Sequence, residues 1–213
     1  MKCDKKSMLL YAVTDRTWLK EQTLAMQVEE ALIGGATFVQ LREKKLNYDL
    51  FLEEAKKMKV LCEKYHVPFV INDNVEIAID SDADGVHIGQ SDRKVSAVRA
   101  MIGENKIIGV SAQTVEQAIL AQEEGADYLG VGAVFSTSTK LDADFVSFET
   151  LKSICEAVNI PVIAIGGISE NNILELAGTG IDGVAVVSAL FAKPDIKTAA
   201  KNLYNLSNDM VKL

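Results

Sequence analysis

Residues 40–44, Gln-Leu-Arg-Glu-Lys, follow an apolar run that is typical of a buried β-strand. Because side chains alternate along a strand, Gln40, Arg42 and Lys44 are expected to share one face. Arginine offers a planar fork of donors and lysine a compact charge, so the three together suit a polyanion such as a diphosphate. On spacing alone, an ordinary salt-bridged strand end involving Glu43 explains the pattern equally well.

Two aspartates, Asp73 and Asp92, follow predicted strands three and four. Magnesium is commonly held by one or two carboxylates completed by waters and substrate phosphates. Such an ion can clamp a diphosphate and stabilise its departure. Each aspartate alone is better explained as a helix N-cap, since helices are predicted shortly after both. As a pair beside Arg42 and Lys44, a magnesium site is about as well supported as capping.

Two further stretches have the composition of phosphate sites. Residues 135–140, Phe-Ser-Thr-Ser-Thr-Lys, form either a loop that wraps phosphate oxygens or a solvated, hydroxyl-rich loop. Gly166 and Gly167 end the seventh strand, and Ser188 starts a short helix after the eighth. Paired glycines let a phosphate approach backbone N–H groups, and a helix N-terminus adds its dipole. Close turns alone could also require these glycines, and the two explanations are compatible.

Neither histidine is predicted to have a catalytic role. His87 lies within an apolar segment, residues 85–89, so a hydrogen-bonded core histidine is favoured over a base or a metal ligand. His66 precedes a predicted strand at a turn and is expected at the surface.

The elements that must position these residues alternate between strands and helices along the whole chain. Strands are predicted at residues 9–13, 38–43, 68–71, 85–88, 107–110, 128–133, 161–165 and 183–187. Helices are predicted at 24–32, 48–65, 75–79, 95–102, 114–124, 147–158 and 169–178, and from 196 onward.

This alternation implies an α/β protein with a parallel sheet. Eight units without a linker predict one domain over residues 1–213, a single (β/α)8 TIM barrel. A doubly wound sheet is the alternative, but no G-x-G-x-x-G follows the first strand. In such barrels the active site lies at the C-terminal ends of the strands, which is where the polar residues above are concentrated.

A short repeat supports the count of strands. Thr37, Asp84, Asp127 and Asp182 each stand just before an even-numbered strand, after Ala or Ile. The repeat recurs once for every two strand–helix units, as an eightfold barrel predicts.

The charge and composition of the chain argue against several classes of protein. The net charge of −8 over 213 residues argues against a nucleic-acid-binding protein. No apolar run approaches the roughly 18 residues that suggest a membrane span. The first residues lack a signal-peptide pattern, and three well-separated cysteines match no disulfide or zinc spacing, so a cytoplasmic protein is expected.

Several strings together resemble the thiamine phosphate synthase family, in family order over nearly the whole chain. They are Y-A-V-T-D at 11–15, Q-L-R-E-K at 40–44, I-N-D at 71–73, G-V-H-I-G-Q-S-D at 85–92, G-V-S at 109–111, G-A-D-Y-L-G-V-G at 125–132, F-S-T-S-T-K at 135–140, G-G-I at 166–168 and V-A-V-V-S at 184–188.

The resemblance implies a transferase that joins a hydroxymethylpyrimidine diphosphate to a thiazole phosphate, or its carboxylated form, and releases diphosphate. It implies a dissociative course in which fixed charge stabilises the leaving group. The implied ligands of the pyrimidine diphosphate are Gln40, Leu41, Arg42, Glu43, Lys44, Asn72, Ser111 and Lys140, with Arg42, Ser111 and Lys140 as catalytic groups. The implied ligands of the thiazole phosphate are Thr137, Ser138, Thr139, Gly167, Val187 and Ser188. Asp73 and Asp92 would hold Mg²⁺.

Two other functions are weighed against this one. A thiazole tautomerase shares the fold and the Gly-Gly-Ile site but tends to lose the aspartate pair, which is present here. A non-catalytic barrel that senses a phosphorylated metabolite would not need a metal pair. Small phosphorylated substrates are the expected partners, with a homo-oligomer also compatible with the sequence.

Overall fold

A computed structural model describes residues 3–19, 21–136 and 145–213 of the chain. Eight parallel strands close into a barrel in sequential order, β1 to β8, with β8 paired to β1. The strands are β1 Leu10–Val13, β2 Phe38–Leu41, β3 Phe69–Asn72, β4 Gly85–Ile88, β5 Ile107–Ala112, β6 Tyr128–Val131, β7 Val162–Ile165 and β8 Gly183–Val186. The predicted (β/α)8 barrel is therefore confirmed.

Helices surround the barrel. They are α1 Leu24–Gly34, α2 Tyr48–Lys64, α3 Val75–Asp80, α4 Val95–Ile102, α5 Val115–Glu123, α6 Phe148–Ala157, α7 Ser188–Phe191 and α8 Ile196–Met210. Of these, α1 to α6 connect successive strands, and α7 and α8 follow β8. Most begin at a capping side chain; Thr23, Asn47 and Ser147, for example, each accept a hydrogen bond from the backbone N–H three residues later. In the part of the chain that the structure describes, no helix is long and apolar enough to cross a membrane.

The predicted helix at 169–178 is wrong. Only a short 3-10 helix, Ile173–Leu176, lies between β7 and β8. Ser169 does not cap it. Instead Asn172 accepts from the Ser169 backbone N–H (2.8 Å) and donates to the Gly167 carbonyl (3.0 Å), which ties the segment to the end of β7. Two further 3-10 helices, Lys5–Met8 and Arg16–Trp18, were not predicted and are capped by Asp4 and Asp15.

The core has two layers because the strands are buried on both faces. One cluster fills the space between the strands and the helices, with Leu10, Val39 and Leu129 among its members. A smaller cluster fills the barrel and includes Met8, Tyr11, Phe38 and Tyr128. The Tyr11 and Phe38 rings stack inside the barrel with centroids 4.5 Å apart. This double burial explains why the strands are continuously apolar rather than alternating.

The sequence repeat is a structural device at the N-terminal end of the barrel. Each repeat residue precedes an even-numbered strand and exchanges two hydrogen bonds with one residue of the preceding strand. Asp84, for example, donates its backbone N–H to the Phe69 carbonyl (2.8 Å) and accepts the Phe69 N–H on its carboxylate (2.9 Å). The other pairs are Thr37 with Leu10, Asp127 with Ile108 and Asp182 with Val162. These bonds satisfy strand-end N–H groups that would otherwise be buried without a partner.

Candidate active site

A cleft of about 570 Å³ opens at the C-terminal ends of the strands, and every strand contributes to its lining. Most of the predicted site residues meet there although they come from distant parts of the chain. The predicted residues that line it are Gln40, Arg42, Lys44, Asn72, Asp73, Asp92, Ser111, Gly167, Val187 and Ser188.

Two predicted residues at the end of β2 point away from the cleft. The Leu41 side chain packs in the layer between the strands and the helices. The Glu43 carboxylate lies almost fully buried against Arg16 (Oε1 to Nε, 2.5 Å), and its burial raises its pKa. The alternation of the strand places both residues on the outer face, so any contact they make with a ligand would use their backbone. Thr137, Ser138, Thr139 and Lys140 lie outside the described residues.

The two cations at the end of β2 are each paired with a carboxylate. Arg42 Nη1 lies 3.1 Å from Asp15 Oδ2, and Lys44 Nζ lies 2.7 Å from Asp73 Oδ2. The buried Thr14 hydroxyl accepts the Arg42 backbone N–H (3.0 Å) and so fixes where the arginine leaves the strand. Both cations face the cleft, where they can pair with an anionic ligand.

Neither metal-candidate aspartate is a helix cap, so that interpretation is wrong for both. The side chain that caps α3 is Asn74, and α4 begins at Lys94 without a side-chain cap. Asp92 Oδ2 instead accepts the Gly89 backbone N–H at 2.7 Å. Asp73 has a φ of +63°, a left-handed conformation that few non-glycine residues adopt and that often marks a functional position.

The donor set of these aspartates fits a hard divalent cation. Both line the cleft, and Oδ1 of each accepts no hydrogen bond from the described residues. In residues 3–19, 21–136 and 145–213 no group of three or more His, Cys, Asp or Glu side chains could hold a metal ion. A cation here would therefore be completed by waters and by oxygens of the ligand, which is the usual coordination of Mg²⁺.

The ends of β7 and β8 form an open backbone surface on the other side of the cleft. Gly166 and Gly167 both have positive φ, +99° and +67°. Gly166 carries no side chain because a Cβ there would overlap Ala133, and one on Gly167 would overlap the Ser136 carbonyl. Ser188 is exposed at the start of α7, directly after Val187. The absence of side chains on the glycines leaves backbone N–H groups accessible to an anion.

A chain of polar side chains runs from the barrel interior to the cleft. The Tyr11 hydroxyl lies 2.8 Å from Gln40 Nε2 and 2.7 Å from the Tyr128 hydroxyl. His87 Nδ1 lies 2.9 Å from the Tyr128 hydroxyl, and His87 Nε2 lies 3.0 Å from Ser111 Oγ. His87 is thus hydrogen-bonded at both ring nitrogens, as predicted, but its ring also borders the cleft. Burial lowers the pKa of His87 to about 4, so the ring is neutral at pH 7.

Sequence reasoning assigned no role to Tyr11 and Tyr128. Two glycines inside strands were the available signal, because a strand glycine often marks a close approach by another group. A Cβ on Gly109 would overlap the Tyr128 ring, and one on Gly130 would lie 3.2 Å from His87 Cε1. The glycines make room for the two rings that carry the hydrogen-bonded chain.

Comparison of the sequence with known proteins identifies its family. The sequence model of the family described as "Thiamine monophosphate synthase" matches residues 10–190. The chain belongs to this family. It is 53% identical over 200 residues to the thiamine-phosphate synthase of Clostridium tetani, covering 94% of this chain and 96% of the relative. It is 54% identical over 194 residues to that of Alkaliphilus oremlandii, covering 91% and 93%.

A solved structure extends the likeness to three dimensions. The thiamine phosphate pyrophosphorylase of Pyrococcus furiosus superimposes with a TM-score of 0.89 at 38% identity, covering 97% of this chain and 98% of that one. As a member of the thiamine monophosphate synthase family, this chain shares a fold and nearly its full length with these enzymes.

Proposed function

We propose that the protein is a thiamine-phosphate synthase. It would join 4-amino-2-methyl-5-(diphosphooxymethyl)pyrimidine to 4-methyl-5-(2-phosphoethyl)thiazole, or to the carboxylated thiazole phosphate, and release diphosphate. Membership of the family supports the reaction. The observation that carries it is the convergence of Arg42, Lys44 and Ser111 with Asp73 and Asp92 on one cleft.

The diphosphate would bind at the ends of β2, β3 and β5. Arg42 and Lys44 lie on the cleft side of β2, and Asn72 and Ser111 add polar groups from the neighbouring strand ends. Lys140 is proposed to join them. Negative charge grows on the diphosphate as its bond to the pyrimidine methylene breaks. Fixed donors around it would therefore stabilise the transition state more than the ground state.

Asp73 and Asp92 would hold Mg²⁺ against the same diphosphate. The bound ion would supply charge stabilisation to the leaving group. Lys44 now occupies Asp73 Oδ2, so in the loaded site the lysine is expected to turn to the diphosphate while the carboxylate turns to the metal.

The thiazole phosphate would bind at the ends of β7 and β8, together with Thr137, Ser138 and Thr139. The substitution Gly167→Ala cannot test whether a phosphate binds here. Its methyl group would strike the Ser136 carbonyl and would be strained at the positive φ, whether or not a phosphate binds. Ser188→Asp is sharper because it adds negative charge at the exposed start of α7. It should raise KM for the thiazole phosphate far more than KM for the pyrimidine diphosphate, and Ser188→Ala serves as the neutral control.

The direct experiment is to incubate the protein with both substrates and Mg²⁺ and to measure thiamine phosphate and released diphosphate. Equal amounts of the two products are expected. Failure to form thiamine phosphate with intact, folded protein would reject the proposal, and it would leave a tautomerase or a sensor as the function to test next.

The remaining sequence-based expectations stay predictions. They are one domain over residues 1–213, a cytoplasmic location and self-association into a homo-oligomer. Cys3, Cys62 and Cys155 are free thiols, which accords with a reducing compartment. Size-exclusion chromatography with light scattering would measure the oligomeric state.

A further inference from the structure

The hydrogen-bonded chain across the barrel links five side chains from five different strands in single file. In order they are Gln40, Tyr11, Tyr128, His87 and Ser111, and successive polar atoms are 2.8, 2.7, 2.9 and 3.0 Å apart. Four of the five members line the cleft, Tyr128 being the exception, and the two tyrosines are 1% and 0% exposed. A single-file chain of this kind transmits orientation, because each hydroxyl has only one proton to donate.

The direction of the chain follows from its first member. Gln40 Nε2 donates to the Tyr11 hydroxyl. Among the described residues the only other partner of Tyr11 is the Tyr128 hydroxyl, so the Tyr11 proton must point there. Within the described part of the chain Tyr128 then has one remaining partner, His87 Nδ1, and must donate to it.

The second half of the chain is then determined as well. His87 Nδ1 accepts a proton, so it carries none, and the neutral ring has its proton on Nε2. Nε2 donates to Ser111 Oγ, which leaves the hydroxyl proton of Ser111 free to donate elsewhere. An imidazolium ring would not fit this arrangement. The Tyr128 hydroxyl would then lie between two donors, the Tyr11 hydroxyl and His87 Nδ1, and its own proton would have no acceptor among the described residues.

We propose that Gln40, Tyr11, Tyr128 and His87 form a positioning chain that aims the Ser111 hydroxyl proton into the cleft. The inference rests on the proposed function, for which Ser111 would donate to the departing diphosphate. In this proposal Tyr11, Tyr128 and His87 act through Ser111, whereas Gln40 would also contact the substrate directly.

The polarity of the two ends matches the proposed substrate. With Nε2 turned to Tyr11, the amide oxygen of Gln40 is the group left to accept from the amino substituent of an aminopyrimidine. At the other end Ser111 presents a donor, which a diphosphate oxygen accepts. A reversed chain would present an amide donor to the amino group and a lone pair to the diphosphate, so one direction suits the substrate at both ends.

The direction can be measured without activity. Histidine side chains labelled with ¹⁵N report which ring nitrogen carries the proton, and the protein has only two histidines. His66→Asn assigns the signals, because His66 is exposed and its φ of +56° suits asparagine. The wild-type protein should show His87 protonated on Nε2.

Gln40→Glu tests whether the chain carries orientation over this distance. An ionised carboxylate only accepts, so each hydroxyl must turn around and the proton of His87 should move to Nδ1 at pH 8. A wild-type ring protonated on Nδ1, or an Nε2 proton that stays in place in Gln40→Glu, would overturn the inference. Either result leaves the proposed synthase activity untouched, so the two claims fail separately.

Kinetics test whether the chain acts through Ser111. Ser111→Ala should lower kcat about ten- to a hundredfold, the value of one hydrogen bond to a charged group. Tyr128→Phe keeps the ring but breaks the chain, and should lower kcat roughly three- to tenfold with little change in KM. In the Ser111→Ala background the same tyrosine change should have no further effect.

Two variants keep this test interpretable. Tyr11→Phe breaks the chain one link earlier and should reproduce the effect of Tyr128→Phe. Tyr65→Phe removes a half-buried hydroxyl outside the cleft that donates to Glu29, and it should leave kcat unchanged. If Tyr128→Phe lowers kcat equally with and without Ser111, the tyrosine acts by another route and the positioning role is wrong.

Discussion

The two ends of the barrel use their polar residues in opposite ways. At the N-terminal end one arrangement recurs before every even-numbered strand: an Asp or Thr side chain pairs with the backbone of the preceding strand. At the C-terminal end the polar groups differ from strand to strand, and most of them face a cleft.

The polar groups at the two ends differ in their partners. Asp84, Asp127 and Asp182 each accept a backbone N–H and also pair with a cation, Lys59, Arg99 and Lys5 respectively. Their hydrogen-bonding capacity is used within the fold. Arg42, Lys44 and Asp92 keep groups directed at the cleft, where a ligand can use them. We therefore expect stability to depend mainly on one end of the strands and binding on the other, as is general for this type of barrel.

The largest effect expected at the C-terminal end is on turnover. Arg42→Ala should lower kcat about a hundred- to a thousandfold, the usual loss for one preorganised charge-stabilising group. Arg42→Lys should recover only part of the rate, because a point charge cannot reproduce the planar fork. Lys140→Ala is expected to behave like Arg42→Ala.

The measurement is steady-state kinetics together with thermal unfolding. Arg93→Ala is the matched control, because Arg93 is an exposed arginine paired with Glu76 outside the cleft. Near-normal kcat with only a raised KM in Arg42→Ala would contradict charge-stabilised departure of the diphosphate.

The next effect concerns the metal. Asp73→Asn and Asp92→Asn should each raise the Mg²⁺ concentration required for half-maximal rate by about tenfold or more, because each removes one anionic ligand. Calorimetric titration of Mg²⁺ in the presence of diphosphate would report the same loss without turnover. Asp209→Asn, an exposed aspartate on α8, is the control. Full activity of the wild-type protein in excess chelator would remove the basis for a metal role.

At the N-terminal end the same kind of change should affect stability and spare turnover. Asp127→Ala leaves the Ile108 N–H without its acceptor and Arg99 without its carboxylate, whose separation from Nη2 is 2.6 Å. A loss of about 2–4 kcal/mol in the free energy of unfolding is expected. Asp127→Asn keeps an acceptor and should lose less. Urea unfolding measures the loss, and a matching fall in kcat at 25 °C would show that the two ends are not independent.

The smallest effect is a dependence of stability on pH that arises from His87. The unfolded ring titrates near pH 6.5, whereas burial lowers the pKa of the folded ring to about 4. Between these values the unfolded chain binds a proton that the folded protein does not. The contribution is therefore intact above pH 6.5 and is lost as pH falls towards 4, by about 1.4 kcal/mol per pH unit.

Urea unfolding at pH 7, 6 and 5 tests this dependence as a difference between variants. His87→Gln should reduce the slope of stability against pH, and His66→Asn should leave it unchanged because that ring is exposed. Equal slopes in all three proteins would mean that His87 titrates normally in the folded state.

The sequence by itself determined the order of elements and the set of residues able to do chemistry. The continuously apolar strands, the capping residues and the repeat before the even strands are local signals, and they predicted the eight strands to within about two residues. Because strand ends of a parallel barrel meet at one edge, naming those ends also named most of the polar residues that line the cleft.

Only the tertiary structure decided how those residues are used. Asp73 and Asp92 looked like caps because a short segment cannot show that Asn74 takes the capping role or that Asp92 turns back to Gly89. The buried pairing of the Glu43 carboxylate depends on Arg16, a residue that follows the first strand.

The hydrogen-bonded chain that links Gln40 to Ser111 could not be predicted from the sequence, because its members meet only in the folded barrel. Tyr11 and Tyr128 are 117 residues apart, and their hydroxyls meet only because the barrel closes and Gly109 leaves space for the Tyr128 ring. Hydrogen-bond direction is a property of the assembled network, so no single residue or local spacing encodes it.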